Sequence, residues 1–449
     1  MQKLIQCSPN VKMSDLVIPG THDSASYSLQ AFKLFSAAGR TQNVTVYEQL
    51  IRGARYLDIR VAGDGNGAKD VYVFHGCLKC AKLDTILKEI KHFMEEHPEE
   101  FIFCEIVAEY GRDFNDAQRL HTLNLIKDTF GDKIYTGNDY DQLMNDWTLS
   151  EIVKEQKKNL CIMVHPRIYK FKVEDVTYEE ENIMEQFGFV NSHRWMRSQW
   201  HNTRDVDLLK EWNLEEVKKY GSQRNKKLLN NQIVLTPGVG GATDVVKLLI
   251  GGNSLRPVSF AASIYKSDVL DVYFRDNADE PWNMVMLDYI DLTPALVCFF
   301  ISLNFPSSLT ILKAAATVGD DASSKDVTEK VQSHVKRGRA LYLVNVQKDL
   351  ELGSDTGALT IAYKFGREAK GASVLTVDFD PETEIVLSQF CRNEENASHT
   401  SVKPHEHPAG GCVARGRIYT KEEAAAVKNT SVLEFNNAEN DECVFGIIQ

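Results

Sequence analysis

Five residues in three short segments of this chain have the types and spacing that acid–base chemistry needs. They are His22 and Asp23 in Ile18-Pro19-Gly20-Thr21-His22-Asp23-Ser24, Asp58 and Arg60 in Asp58-Ile59-Arg60, and His75 at the end of Tyr72-Val73-Phe74-His75. Opening a phosphodiester with an internal hydroxyl requires a base for the hydroxyl proton, an acid for the leaving alkoxide and positive charge for the phosphoryl oxygens. Two imidazoles and one guanidinium meet that list. Imidazole titrates near about 6.5, so neighbouring carboxylates can hold one ring neutral and the other protonated around neutral pH. A lone histidine is ordinarily structural, and it is the set taken together that points to chemistry.

These side chains must be carried on elements that converge. From residue 15 to about 305, short apolar runs alternate with amphipathic segments, the pattern of strands interleaved with helices. Strands are expected at 15–19, 54–61, 71–75, 101–107, 160–164, 195–200, 232–236 and 284–289, which fits a TIM-like, distorted β/α barrel. Helices are expected at 83–96, stopped by Pro98, and at 205–219, while 165–195 reads as a long charged insert. In such a barrel the C-terminal ends of the strands form the active face, where all five residues can meet. Asp58 and Arg60 lie two apart and point to one side of their strand, the interior.

After about residue 308 the character changes. Residues 317–324 read as a loop, 327–337 as a short helix, and β-branched alternating runs at 340–346, 358–364, 373–379 and 384–390 as antiparallel strands. The expected organisation is a catalytic barrel over 1–308 followed by a smaller all-β, sandwich-like accessory domain over 309–449.

These segments resemble the X region of phosphatidylinositol-specific phospholipases C. The likeness rests on 18–24, Gly53-Ala54-Arg55-Tyr56-Leu57-Asp58-Ile59-Arg60, Phe74-His75-Gly76, the helix before Pro98-Glu99-Glu100-Phe101, and the late strand 283–291. The resemblance implies an enzyme that releases diacylglycerol and a cyclic inositol phosphate. It implies that His22 is the base on the inositol 2-hydroxyl and His75 the acid on the glycerol oxygen. Asp23 would support the acid and Arg60, Arg60 would bind the phosphoryl oxygens, Asp58 would hold the arginine, and Asp288 would orient His22. Calcium-dependent members place an acid where this chain has Arg60, so the resemblance implies metal-independent chemistry with no cofactor, as in the bacterial members. Those bacterial enzymes carry a lysine where this chain has Glu105, which opens the choice of headgroup. His165, Arg167, Gln199 and Trp200 are further expected headgroup contacts, Trp200 by stacking or simply by packing.

Composition narrows the partners. With 43% hydrophobic and 25% charged residues the chain is of an ordinary globular type, and its net charge of −12 excludes a general nucleic-acid binder. Its longest apolar run, 295–303, is short of the roughly 20 residues that span a bilayer, so membrane contact is expected to be peripheral, with a phospholipid as substrate. Nine scattered cysteines and a start without an apolar leader read as a cytoplasmic protein, a secreted mature form being the alternative. The sequons at Asn43, Asn396 and Asn429 are then idle.

Other motifs read as structural. Cys77 and Cys80 have redox spacing but no second pair, His399, His405 and His407 near Cys412 read as a solvated loop, and Thr236-Pro237-Gly238-Val239-Gly240-Gly241 lacks the lysine of a phosphate loop. Lys336-Arg337-Gly338-Arg339 reads as a helix end. Two rivals stand beside the first reading: a glycerophosphodiester hydrolase acting on another headgroup, and a silent lipid- or protein-binding barrel.

Overall fold

The computed structural model describes residues 1–30, 39–137, 139–203, 205–236, 268–318, 321–353, 356–366, 373–380, 383–389 and 411–413. His399, His405, His407, residues 237–241 and the sequons at Asn396 and Asn429 lie outside the described residues. Contacts divide the chain into two compact units, one of Met1–Ile264 with Glu280–Asp291 and one of Tyr265–Asp279 with Leu292–Gln449.

Among the described residues the first unit has twelve strands: β1 (Ile18–Thr21), β2 (Tyr56–Gly63), β3 (Val71–His75), β4 (Leu78–Lys82), β5 (Ile102–Ala108), β6 (Leu160–Val164), β7 (Phe171–Val173), β8 (Val176–Tyr178), β9 (Val190–Asn191), β10 (Met196–Gln199), β11 (Leu228–Ile233) and β12 (Met284–Leu287). Eight of them form one curled parallel sheet in the order β10-β11-β12-β1-β2-β5-β6-β9. The turn Ser192–Trp195 joins the two end strands, so the chain itself brings the sheet's edges round into a barrel. Parallel neighbours need crossovers, supplied by the helices Leu83–Glu96, Asp116–Phe130 and Val206–Tyr220. The first buries Leu83, Ile86, Leu87, Ile90 and Phe93, the stripe its sequence spacing requires. Asp205 caps the third by accepting from the backbone of Asp207 and Leu208.

One strand departs from the expected parallel set. β3 runs antiparallel to β2 and turns back into β4, and the pair hangs off the barrel as a hairpin. The parallel strand it was expected to be is β9, inside the stretch read as a loop insert. Its two residues are too few for periodicity to register.

The described residues of the second unit include two antiparallel four-stranded sheets and the helices Asp268–Asp276, Pro294–Ser302, Thr328–Ser333 and Val346–Asp349. One sheet joins β13 (Leu309–Val318), β14 (Asp321–Asp326), β17 (Gly357–Phe365) and β18 (Ser373–Phe379); the other joins β15 (Val335–Lys336), β16 (Ala340–Leu343), β19 (Ile385–Ser388) and β20 (Gly411–Val413). Ile311, Leu359 and Leu375 of the first share a core with Leu341, Leu343 and Leu387 of the second, which makes a sandwich. The segment 317–324, expected as a loop, carries the ends of β13 and β14, which pair with each other. The apolar run at 295–303 falls largely in the helix Pro294–Ser302, whose side chains are buried against β16 and β19. Among the described residues no helix is long and apolar enough to cross a membrane.

Candidate active site

Register assembles the site. Thr21 of β1 pairs with Leu57 on one side and Leu287 on the other, so the next residue along each chain, His22, Asp58 and Asp288, falls at one level of the sheet. Asp58 pairs in turn with Glu105 of β5, which extends the row. Tyr56, Asp58 and Arg60 alternate on β2 and present three polar groups to one face. His75 reaches this level from the hairpin.

His22 is fixed from both ends. Its Nδ1 lies 2.8 Å from Oδ1 of Asp288 and its Nε2 lies 3.0 Å from Oδ2 of Asp23. Its backbone N–H donates to the Leu287 carbonyl at 3.0 Å, and its carbonyl accepts from Thr41 Oγ1 at 2.9 Å. Burial disfavours the imidazolium, but the Asp23 and Asp288 carboxylates outweigh it and push His22 up to about 10. Burial also raises Asp288, with the His22 charge opposing.

His75 sits across Asp23 from His22. The two ring centroids are 5.9 Å apart, edge to face. Nδ1 of His75 lies 2.5 Å from the Gly39 carbonyl, an acceptor, so that nitrogen carries a proton, and Nε2 faces Oδ2 of Asp23 at 3.2 Å. Arg60 completes the group, its Nε 3.0 Å from Oδ1 of Asp23 and its Nη2 2.9 Å from Oδ2 of Asp58. The Asp23 oxygens meet His22, His75 and Arg60 through close charge contacts rather than aligned hydrogen bonds. Burial raises Asp23, yet Arg60, His75 and His22 together hold it well below the usual carboxylate range. Its backbone is left-handed, with φ at 40°, a conformation aspartate tolerates better than most residues.

His22, Asp23 and Asp58 offer donor atoms within 4.8 Å of one another. They do not fit a resident calcium ion. Three donors fall short of the roughly six to eight oxygens calcium takes, and the Arg60 guanidinium already occupies the oxygens of Asp23 and Asp58.

The cluster opens into a cavity of about 1140 Å³ whose lining includes Glu105, His165, Arg167, Gln199 and Trp200, so all five expected headgroup residues face the same space as His22 and His75. Glu105 is buried and accepts a hydrogen bond from Tyr56 Oη at 2.8 Å; burial first, then Asp58, push it up to about 7. Trp200 is 52% exposed, its Nε1 donating to Thr236 Oγ1 at 2.9 Å, and so it stands at the rim. Sequence reasoning missed Tyr56, Glu109, His193 and Lys227, which line the same cavity. Tyr56 was open to detection, since it lies two residues before Asp58 on the same strand face. The other three depend on loop geometry that no periodicity encodes.

Comparison with known proteins bears on this arrangement. Residues 16–158 match the family described as phosphatidylinositol-specific phospholipase C, X domain. The chain is 28% identical over 268 residues to PI-PLC X domain-containing protein 2 of Mus musculus, covering 54% of this chain and 70% of that protein. It is 32% identical over 121 residues to 1-phosphatidylinositol phosphodiesterase of Listeria monocytogenes, covering 26% of this chain and 36% of that protein. Among solved structures it resembles the Listeria monocytogenes phosphatidylinositol-specific phospholipase C with a TM-score of 0.44 and 18% identity, over 64% of this chain and 94% of that one. A Staphylococcus aureus phosphatidylinositol-specific phospholipase C gives 0.46 and 16%, over 66% and 95%.

Proposed function

We propose that this chain, whose residues 16–158 match the X-domain family of phosphatidylinositol-specific phospholipases C, cleaves the glycerophosphate bond of phosphatidylinositol-type lipids by acid–base catalysis. The observation that carries this reading is the placing of two imidazoles, 5.9 Å apart, on either side of the Asp23–Arg60 ion pair. His22 removes the proton of the ring hydroxyl next to the phosphodiester. The alkoxide attacks phosphorus and closes a cyclic phosphate, while the bond to the glycerol oxygen breaks. Nε2–H of His75 delivers a proton to that oxygen, and diacylglycerol leaves. Arg60 takes the charge that grows on the remaining phosphoryl oxygens.

The high proton affinity of His22 has to be relieved for it to act as a base. In the free site its Nε2 faces Asp23, the carboxylate that most favours the imidazolium. The substrate hydroxyl takes that place, the Nε2 proton passes to solvent as the Asp23 contact is lost, and Asp288 keeps the now neutral ring oriented through Nδ1. Asp23 then serves His75 and Arg60 alone.

Phosphorus NMR of phosphatidylinositol vesicles incubated with the protein in excess EDTA tests the reading. Wild type should give a cyclic phosphodiester signal, and His22→Ala or His75→Ala should lower its rate by about 10²–10⁴ with unchanged circular dichroism. Wild-type rates in either variant would remove the assigned roles. A signal that appeared only with added calcium would overturn the metal-independent cycle.

A further inference from the structure

The strand that leads into Asp288 belongs to the first unit, yet the chain on both sides of it belongs to the second. Glu280–Asp291 lies in the first unit, while Tyr265–Asp279 before it and everything from Leu292 onward lie in the second. Two helices therefore flank β12 in sequence, Asp268–Asp276 and Pro294–Ser302, and both are built into the second unit. Leu270 and Phe274 of the first are buried, and every residue of the second from Ala295 to Phe300 is buried, so that helix is covered on all sides. The rings of Phe274 and Phe300 join the two helices edge to face, with centroids 4.8 Å apart. Tyr342 of β16, fully buried, touches both. Its hydroxyl donates to Oδ1 of Asp271 at 2.5 Å, and its ring centroid lies 4.9 Å from that of Phe299. Arg275 adds a second tie, its Nη1 donating at 2.6 Å to Oδ2 of Asp349. The same oxygen accepts from the backbone N–H groups of Val344 at 2.8 Å and Asn345 at 3.2 Å, just past β16.

A buried ion pair adds little net stability, and its best-attested use is to fix one register over the alternatives. The register fixed here is that of the two helices whose ends the Asp288 segment joins. Residues 289–293 alone separate Asp288 from Pro294, and each residue of chain reaches at most about 3.6 Å, so a slip of the following helix is carried to the carboxylate through the backbone. Oδ1 of Asp288 stands 2.8 Å from Nδ1 of His22, and a displacement of about 1 Å in such a pair can cost roughly 10² in rate. Resting on the reaction proposed above, we propose that Tyr342 is a positioning residue for it: together with Arg275 it clamps the two helices that flank β12 and thereby sets Asp288 against His22. The second unit is then part of what orients the base, not an appended module.

Kinetics of the full chain on a soluble short-chain phosphatidylinositol decide this. Tyr342→Phe keeps the ring and removes the hydroxyl; kcat should fall by about ten- to a hundredfold while KM changes by less than about twofold. Leu375→Ala is the control, since Leu375 lies in the sandwich core on the sheet that lacks Tyr342. It should lower the melting temperature at least as far and leave kcat within about twofold. Pairing Tyr342→Phe with Asp288→Asn separates positioning from folding. If Tyr342 acts through Asp288, the double variant loses less in kcat than the product of the two single losses, whereas independent effects multiply. Arg275→Lys takes the place of Tyr342→Phe if that variant does not fold. Multiplicative losses, or a control as damaging as Tyr342→Phe, overturn the clamp and leave Asp288 held by bonds of the first unit, such as that from the Tyr289 N–H to the Thr41 carbonyl. Should wild type turn over no lipid, nitrogen-15 NMR of the His22 ring still reads the clamp. A titration that Tyr342→Phe moves in the same direction as Asp288→Asn supports the clamp and sinks the reaction instead; one that Tyr342→Phe leaves in place overturns the clamp as well.

Discussion

At the residue scale the site is governed by an imbalance between two carboxylates and one imidazole. His22 is buried, a condition that by itself favours the neutral ring, and Asp23 and Asp288 against its two nitrogens favour the imidazolium instead. Its folded pKa, about 10, stands above the value of 6.5 for the free group, so the stability it contributes is complete below 6.5 and is lost as pH rises through 10. Asp288→Asn should therefore lower the His22 titration, followed by nitrogen-15 NMR of the imidazole, and should make stability less sensitive to pH between neutrality and pH 10. An unmoved titration would mean that Asp23 alone sets the proton affinity and that Asp288 only orients the ring. These side chains were readable before the fold was known because each sits in a segment with its own strand context. What the sequence did not disclose is that both imidazoles converge on the same oxygen of Asp23.

At the element scale the strands of the barrel were visible where they were long enough to alternate or to run continuously apolar, as β2, β5 and β6 do. β9 was not, and the orientation of β3 was misjudged, although the signal for it was present. His75 pairs with Leu78, which leaves Gly76 and Cys77 as a two-residue loop with glycine first, the mark of a tight hairpin. Gly76 has φ at 58°, a left-handed conformation, and a Cβ there would meet nothing within 4 Å. The cost of Gly76→Ala is thus conformational, about 1–2 kcal/mol, and falls on the turn that presents His75. We expect a fall in melting temperature together with a drop in kcat, because His75 loses its position at the cleft that Gly76 also lines. Gly76→Asn, which tolerates the left-handed region better, should recover much of both. Equal loss in the two variants would mean that the turn serves His75 through something other than its backbone conformation.

At the scale of the whole molecule the governing quantity is charge. The chain carries a net −12, and phosphatidylinositol makes any bilayer that contains it anionic, so the long-range force between the protein and such a surface is repulsive. Arg60 and Arg167 face the cleft, but Arg60 is paired with Asp23 and Asp58, and both act over short distances. Salt screens the two terms unequally. The Debye length falls from about 10 Å at 0.1 M to about 3 Å at 1 M, which removes the repulsion of the whole surface before it weakens partly buried pairs. Sedimentation with vesicles of phosphatidylinositol in phosphatidylcholine should therefore show binding that rises as salt is added, and rises again as the anionic fraction is reduced at constant salt. Proteins that dock through a basic face behave in the opposite sense. Binding that weakens with salt would place a concentrated cationic surface against the membrane, and the net charge would then say nothing about how this protein meets such a bilayer.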